Sequence, residues 1–216
     1  MSAIDLHVHR WEPATGQGQP TLLLLHGTGG DEHDLIPLAR LIAPAASLLS
    51  VRGNVLEQGM PRFFRRLREG VFDLDDLARR TVELSDFVGA AGLKYGFSSA
   101  ELLALGFSNG ANIAASLLLT RPQTLAGGIL IRAMVPFEPE RPTQLSGKRV
   151  LLSQGRADPL IPPAGAERLA ELLREGGADV ELAWQSGGHA LSQGDVSVAR
   201  RWLGELKSIA GSPSAN

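Results

Sequence analysis

Short, uninterrupted apolar runs alternate along this chain with longer segments in which apolar residues recur at helical spacing. Residues 21–25 form such a run and residues 46–51 form a second one, and a glycine follows each within two positions. Runs of this kind are typical of strands buried on both faces, with the helical segments between them covering the sheet. The alternation therefore predicts an α/β fold, in which a mostly parallel, doubly wound sheet is flanked by helices.

The same patterns predict the individual elements. Residues 4–9 alternate apolar and polar side chains, as a half-exposed edge strand does. Asp31 is predicted to cap a helix whose apolar side chains are Leu35, Leu38, Ala39 and Ile42. Further strands are predicted at residues 101–107, 128–131, 149–153 and 179–184, and further helices at residues 73–93, 109–119, 163–175 and 195–209.

Length and composition limit the classes of protein that this chain can belong to. Its 216 residues predict a single domain over residues 1–210, followed by a flexible C-terminal tail over residues 211–216. Apolar residues make up 44% and charged residues 20%, which excludes an intrinsically disordered chain. The formal net charge of -2 supplies no positive field for nucleic acid or an anionic membrane.

Three features that the sequence lacks exclude further classes of protein and site. The chain has no cysteine, which excludes disulfides, thiolate nucleophiles, iron–sulfur clusters and cysteine-based zinc sites. No apolar run approaches the roughly 20 residues that a membrane span needs. The N-terminal residues lack the basic start and the apolar stretch of a signal peptide. We therefore expect a cytoplasmic protein without a membrane span.

The motif Gly106-Phe107-Ser108-Asn109-Gly110 lies between a predicted apolar strand and a predicted helix. It matches G-x-S-x-G, in which a nucleophilic serine occupies a strained strand-to-helix turn and needs small neighbours two positions away. The helix N-terminus behind the serine also directs partial positive charge toward a developing anion. This context predicts that Ser108 is a catalytic nucleophile.

A serine hydroxyl needs a general base, and five histidines are available. His7 and His9 lie on the predicted first strand, where a solvated strand face explains them better than metal chelation. His26 precedes a glycine loop and is interpreted as a structural hydrogen-bonding group. His33 lies among acidic residues that open a predicted helix, an interpretation favoured over a metal cluster. His189 follows the last predicted strand, at the sheet edge that carries Ser108, and is therefore the predicted base.

The imidazole in turn needs an acid that orients it and stabilises its charged form. Asp158 follows the strand predicted at residues 149–153, so it lies at the same edge of the sheet. Asp179 begins a strand at the opposite edge, and Asp195 is interpreted as a helix cap. Asp158 is therefore the predicted partner of His189.

The transition state also needs donors for an oxyanion. The loop His26-Gly27-Thr28-Gly29-Gly30 follows a strand and precedes a helix. It lacks both the lysine of a P-loop and the G-x-G-x-x-G spacing, which argues against a nucleotide site. We predict that the backbone N–H groups of Thr28 and Asn109 form the oxyanion hole.

Four motifs of the sequence are HGTGGDEHDL from His26, GFSNGANIA from Gly106, GRADPLIP from Gly155 and GGHALS from Gly187. Together they resemble the phospholipase/carboxylesterase family of α/β hydrolases, which includes acyl-protein thioesterases. The resemblance covers nearly the whole chain, and the segment from Arg52 is most similar to bacterial carboxylesterases that respond to hydroquinones.

This resemblance implies an α/β-hydrolase fold with a minimal cap, with Ser108 as nucleophile, His189 as base and Asp158 as its partner. It implies no cofactor and no metal, and the frequent homodimers of the family suggest a homodimer here. Asn109 stands where acyl-protein thioesterases usually have glutamine, so lipidated proteins are not the expected substrates.

Two irregular segments, residues 54–71 and 134–142, are predicted beside the carboxyl ends of the strands, where α/β sheets bind ligands. A substrate pocket is predicted from six apolar side chains, with core packing as the equal alternative for each: Met60, Phe63, Phe64, Met134, Val135 and Leu160. Four arginines in the first segment are interpreted as a solvated face in preference to an anion site: Arg62, Arg65, Arg66 and Arg68.

The sequence therefore predicts a serine carboxylesterase that hydrolyses small or medium-chain carboxylic esters through an acyl-serine intermediate. A thioesterase or lysophospholipase would use the same groups, as would an amidase or a perhydrolase. A hydrolase fold that binds a small molecule without catalysis is the alternative from another class, but such proteins usually lose a member of the triad.

Overall fold

The computed structural model describes residues 2–210, with side chains as far as residue 206. Its strands are β1 (His9–Glu12), β2 (Thr21–Leu25), β3 (Ser47–Val51), β4 (Val55–Glu57), β5 (Met60–Arg62), β6 (Arg66–Arg68), β7 (Val71–Phe72), β8 (Leu102–Phe107), β9 (Gly127–Ile131), β10 (Arg149–Gly155) and β11 (Asp179–Gln185). Its α-helices are α1 (Ile36–Ile42), α2 (Leu74–Tyr95), α3 (Asn109–Thr120), α4 (Pro163–Glu175) and α5 (Gln193–Ala210).

Seven strands form one central sheet in the order β1-β3-β2-β8-β9-β10-β11. Only β1 is antiparallel to its neighbour, and the other strand pairs of this sheet are parallel. The parallel strands therefore place their carboxyl ends at one edge of the sheet. The predicted mostly parallel sheet is confirmed.

Each face of the sheet has its own core. In β2, Leu23 and Leu25 pack on the side of α2, α3 and α4, whereas Leu22 and Leu24 pack on the side of α1 and α5. All four leucines are fully buried. This two-sided burial is the reason that β2 contains no polar side chain after Thr21, and it confirms the doubly wound arrangement.

Local signals fix the ends of the longest helix. Asp73 caps α2, because its side chain accepts a hydrogen bond from the Asp76 N–H, and Gly96 ends the helix in the left-handed conformation with φ of 77°. α3 differs from α2 in being buried along its whole length from Asn109 to Leu119. Ser108 therefore stands directly before a helix that lies inside the molecule.

The predicted strand at residues 4–9 is wrong. Ala3–Leu6 form a 3-10 helix, and β1 begins only at His9. His7 and His9 do not form a solvated strand face, because both rings pack edge-on against Phe87 of α2. His9 also forms a 2.8 Å hydrogen bond with the Tyr95 hydroxyl. The alternation of polar and apolar residues in this segment therefore reflects packing against a helix.

The predicted capping role of Asp31 is also wrong. The Asp31 carboxylate accepts a 2.8 Å hydrogen bond from the His33 N–H, inside the turn before α1. α1 itself begins at Ile36, after Leu35, and Leu35 makes no side-chain cap. Asp31 thus stabilises the turn and not the helix.

The segment at residues 54–71 forms two short hairpins, β4–β5 and β6–β7, separate from the main sheet. Glu57 joins them, because its carboxylate accepts a 2.8 Å hydrogen bond from Arg66 and lies 3.2 Å from Arg62. Among the described residues, no helix is both long and apolar enough to cross a membrane. The tail predicted at residues 211–216 lies outside the described residues.

Candidate active site

Ser108 lies in a strained turn between β8 and α3, with φ of 52° and ψ of -114°. Two glycines make this turn possible. A Cβ atom on Gly106 would lie 2.8 Å from the Ala111 backbone, and one on Gly110 would lie 2.0 Å from the Leu25 carbonyl oxygen. The small residues that the motif requires are therefore dictated by backbone contacts, and the turn leaves Ser108 at the carboxyl edge of the sheet.

The structure brings Ser108, His189 and Asp158 together. His189 Nε2 lies 2.8 Å from Ser108 Oγ, and His189 Nδ1 lies 2.8 Å from Asp158 Oδ2. A carboxylate can only accept, so the proton of the neutral ring belongs on Nδ1. Nε2 is then free to accept the hydrogen bond of the Ser108 hydroxyl, which is the arrangement that a general base needs.

The second oxygen of Asp158 holds the carboxylate in place. Asp158 Oδ1 accepts a 2.8 Å hydrogen bond from the Leu160 N–H, and the carboxylate is fully buried. Asp179, the candidate at the opposite edge, pairs with Arg149 instead. The position of Asp158 just beyond β10 therefore brings it to His189, as its place in the sequence indicates.

The two amides predicted for the oxyanion hole lie on either side of this edge. Asn109 is the first residue of α3, so its N–H has no acceptor within the helix. In the loop after β2, the neighbouring Gly29 and Gly30 amides donate to Pro61 and Gly27, whereas the Thr28 N–H has no acceptor among residues 2–206. Both amides are thus available as donors.

His26 supports the loop that carries Thr28. Its Nε2 accepts a 2.9 Å hydrogen bond from the Gly53 N–H, so its Nδ1 donates to the Gly27 carbonyl at 2.6 Å. Burial lowers the pKa of His26, which keeps the ring neutral. The prediction of a structural hydrogen-bonding role for His26 is confirmed.

A cavity of about 310 Å³ opens beside Ser108 and His189. Its apolar wall consists of Phe72, Phe107, Met134, Leu160 and Ile161. Its polar wall includes Thr28, Arg62, Arg66, Glu69 and Asn112. The volume is at the low end of the roughly 300–1,000 Å³ that is typical of small-molecule sites.

The predicted pocket residues divide between this cavity and the core. Met134 and Leu160 line the cavity. Phe63 and Phe64 do not, because both are buried in the core under the hairpins, and Val135 packs against the same core. Met60 is also not part of the cavity wall, and its exposed side chain lies beside Gly29. Sequence spacing alone could not separate these positions.

The predicted solvated arginine face is wrong for Arg62. Its side chain is only 3% exposed, donates to Thr28 Oγ1 at 2.5 Å and to the Phe64 carbonyl at 3.2 Å, and pairs with Glu57. Burial lowers its pKa. Arg65 and Arg68 are exposed as predicted. Arg62 therefore ties the hairpins to the loop that carries Thr28.

Sequence analysis missed the roles of four polar side chains around the site. The Asn109 side chain accepts a hydrogen bond from the Phe63 N–H at 2.8 Å, and that of Asn112 accepts one from the Met134 N–H at 2.7 Å. Arg132 and Asp195 form a fully buried ion pair under the loop of His189. A lone arginine directly after the apolar strand β9 was the one available signal. Among residues 2–206, no three His, Asp or Glu side chains form a metal site.

Comparison with known proteins gives concordant matches. Residues 10–206 match the family model described as phospholipase/carboxylesterase. The putative hydrolase MhqD of Bacillus subtilis (strain 168) is 48% identical over 197 residues, which covers 91% of this chain and 98% of that protein. The crystal structure of the Bacillus cereus carboxylesterase superposes with a TM-score of 0.90 at 46% identity, covering 92% of this chain and 94% of that chain. The Mesorhizobium loti carboxylesterase gives a TM-score of 0.87 at 32% identity, covering 92% and 95%.

Proposed function

The chain belongs to the phospholipase/carboxylesterase family of serine esterases with the α/β-hydrolase fold. We propose that it hydrolyses small and medium-chain carboxylic esters through an acyl intermediate on Ser108. The observation that carries the proposal is the hydrogen-bonded chain from Ser108 through His189 to Asp158, with both distances at 2.8 Å. The modest volume of the adjoining cavity supports small and medium-chain substrates over long acyl chains.

The proposed reaction has two halves. In the first, Ser108 Oγ attacks the ester carbonyl while His189 Nε2 accepts the hydroxyl proton, and the Thr28 and Asn109 amides stabilise the oxyanion. Collapse of the tetrahedral intermediate breaks the ester C–O bond, and the alcohol leaves with the proton from His189. In the second half, His189 takes a proton from water while the water oxygen attacks the acyl-serine carbonyl. Collapse of this second intermediate breaks the bond from the acyl carbon to Ser108 Oγ, which takes the proton back from His189, and the acid is released. Asp158 stabilises the imidazolium in both halves.

The test is hydrolysis of p-nitrophenyl esters from acetate to octanoate by the wild-type protein and by Ser108→Ala. We expect turnover to fall about 10³-fold or more in the variant, with binding little changed, because only the nucleophile is removed. The cavity predicts an optimum below octanoate. Equal and trivial rates for both proteins would refute the esterase function and favour a non-catalytic binding role.

A parallel series of acyl thioesters and lysophospholipids separates the alternatives that use the same groups. Faster turnover of either class than of the matched ester would replace the carboxylesterase proposal. The homodimer and the cytoplasmic location also remain predictions, and sedimentation of the purified protein tests the first of them.

A further inference from the structure

The side chain of Arg132 donates hydrogen bonds to the loop that carries His189. Arg132 Nε donates a 2.8 Å hydrogen bond to the Gly188 carbonyl, and Arg132 Nη2 donates a 3.1 Å hydrogen bond to the Ala190 carbonyl. These carbonyls belong to the two residues that flank His189. The guanidinium therefore fixes the backbone on both sides of the proposed base, although the imidazole itself is partly exposed.

Asp195 holds the guanidinium in turn. Its two carboxylate oxygens accept from Arg132 Nη1 at 2.8 Å and from Nη2 at 3.1 Å, and both side chains are fully buried. Asp195 also accepts from Ser153 Oγ at 2.6 Å and from Ser192 Oγ at 2.7 Å. Burial alone would raise the pKa of Asp195, but the hydrogen bonds from Arg132, Ser153 and Ser192 outweigh it and lower the pKa, so the carboxylate is charged.

Every N–H of the Arg132 guanidinium donates a hydrogen bond to another group of the protein. A guanidinium has five donors. Besides the Gly188, Ala190 and Asp195 bonds, Nη1 donates to the Ser153 carbonyl at 3.0 Å, which accounts for all five. Arg132 borders the cavity but keeps no donor for a substrate. Its role is therefore positional and not one of substrate binding.

The backbone at Arg132 is strained in a way that fits this role. Its φ is 55°, a left-handed conformation that is uncommon for a long side chain, and its N–H donates to the Ser153 carbonyl. Strain of this kind persists where the surrounding structure requires it, and it concentrates at functional sites. Arg132 directly follows β9, so the strained residue lies at the same sheet edge as Ser108.

We propose that Arg132 and Asp195 are positioning residues that set the place of His189 relative to Ser108 and Asp158. The inference rests on the proposed esterase mechanism, because it assigns the pair to the general base of that mechanism. Neither residue contacts the reacting atoms. They act by holding the peptide carbonyls on either side of His189. A shift of about 1 Å in a catalytic group such as this imidazole lowers the rate by about 10²-fold.

The central test is Arg132→Lys, which keeps the charge but replaces a planar five-donor group with three donors on one nitrogen. We expect kcat to fall about 10²-fold with KM changed less than about threefold. Ser116→Ala is the matched control, because it removes a buried 2.8 Å hydrogen bond between α3 and Thr81 of α2 and no contact with His189 or Arg132. This control should lower the melting temperature without lowering kcat below the melting transition.

Two further measurements separate positioning from stability. In Arg132→Ala, millimolar guanidinium should restore kcat toward the wild-type value, and equal methylammonium should not. If the Arg132 variants fail to fold, Ser192→Ala removes one donor to Asp195 from a half-buried position and should lower kcat about fivefold at unchanged KM.

A substrate-free readout distinguishes failure of this inference from failure of the esterase proposal. The downfield proton resonance of the His189 Nδ1–H, bonded to Asp158, should be sharp in the wild-type protein and lost or broadened in Arg132→Lys. A folded Arg132→Lys that keeps the resonance and more than a third of the wild-type kcat would overturn the inference. A higher KM at unchanged kcat would also overturn it, since it would indicate substrate binding. An inactive wild-type protein would overturn the esterase proposal.

Discussion

At the scale of single residues, the two carboxylate oxygens of Asp158 have separate tasks. Oδ2 accepts from His189 Nδ1, while Oδ1 accepts from the Leu160 N–H and orients the group. In Asp158→Asn the amide can donate to Nδ1, which then leaves the proton on Nε2, where it blocks the bond to Ser108. We expect kcat to fall about 10³- to 10⁴-fold with little change in KM, measured on the best p-nitrophenyl ester.

Asp179→Asn is the matched control for that variant. It removes an exposed carboxylate that pairs with Arg149 at the opposite sheet edge, so activity should stay at the wild-type value. A folded Asp158→Asn with more than a tenth of the wild-type kcat would contradict the assignment of Asp158.

The same scale explains which site residues the sequence could predict. Ser108, Asp158 and His189 each follow a strand that the sequence predicts, and parallel strands end at one edge. Their meeting therefore follows from topology. Arg132 and Asp195 could not be paired this way, because Asp195 lies in the first turn of α5 and fits the pattern of an ordinary helix cap, so no strand end places it.

At the scale of elements, the turn from β8 to α3 depends on the close approach of α3 to β2. A Cβ atom on Gly110 would lie 2.0 Å from the Leu25 carbonyl oxygen, and neither backbone can yield, because β2 is an inner strand of the sheet. We expect Gly110→Ala to lower the free energy of unfolding by several kcal/mol, on the order of 3 kcal/mol or more. Urea titration of the purified variant gives the value.

Gly89→Ala provides the contrast. Gly89 lies in the exposed face of α2, and a Cβ atom there would meet nothing within 4 Å. Alanine is the better helix former, so this variant should raise the free energy of unfolding by about 0.5–1 kcal/mol. If the two variants had equal effects, steric contact with β2 would not be the reason for glycine at position 110.

Elements were predictable where their own burial pattern decides them. β2, β8 and α3 have continuous apolar runs or a strand-to-helix motif, and their predicted positions agree with the structure to within one residue. The N-terminal segment was not predictable, since the partners of His7 and His9 come from α2, about 80 positions later. The hairpins at residues 54–71 are likewise held by Glu57 and its arginines and not by a local pattern.

At the scale of the whole molecule, two buried histidines couple folding to pH. His7 donates through Nδ1 to the Arg52 carbonyl, and His26 accepts from the Gly53 N–H, so both rings bind the backbone of the segment directly after β3. Burial, the largest cause in each case, lowers both pKa values below the ordinary 6.5. Protonation would place a buried charge on His7, whose Nε2 has no partner, and would break the Gly53 bond of His26.

The sign of the effect follows from these lowered pKa values. Well above pH 6.5 neither histidine is charged in either state, so the full stability is present. Below pH 6.5 the unfolded chain binds protons that the folded chain resists, and the free energy of unfolding falls. The slope reaches up to about 1.4 kcal/mol per pH unit for each histidine. Glutamates whose pKa is lowered by folding, such as Glu32, stop stabilising the folded state only when the pH falls below 4.5, the ordinary pKa of this side chain.

His7→Phe tests this coupling, because phenylalanine keeps the packing against Phe87 and cannot be protonated. Urea unfolding at intervals from pH 8 to about pH 5 should give parallel curves above pH 7 and a shallower decline for the variant below pH 6.5. The remaining decline belongs to His26, which also supports the loop of Thr28. A wild-type stability that stayed constant down to about pH 5 would mean that neither ring is kept neutral by folding.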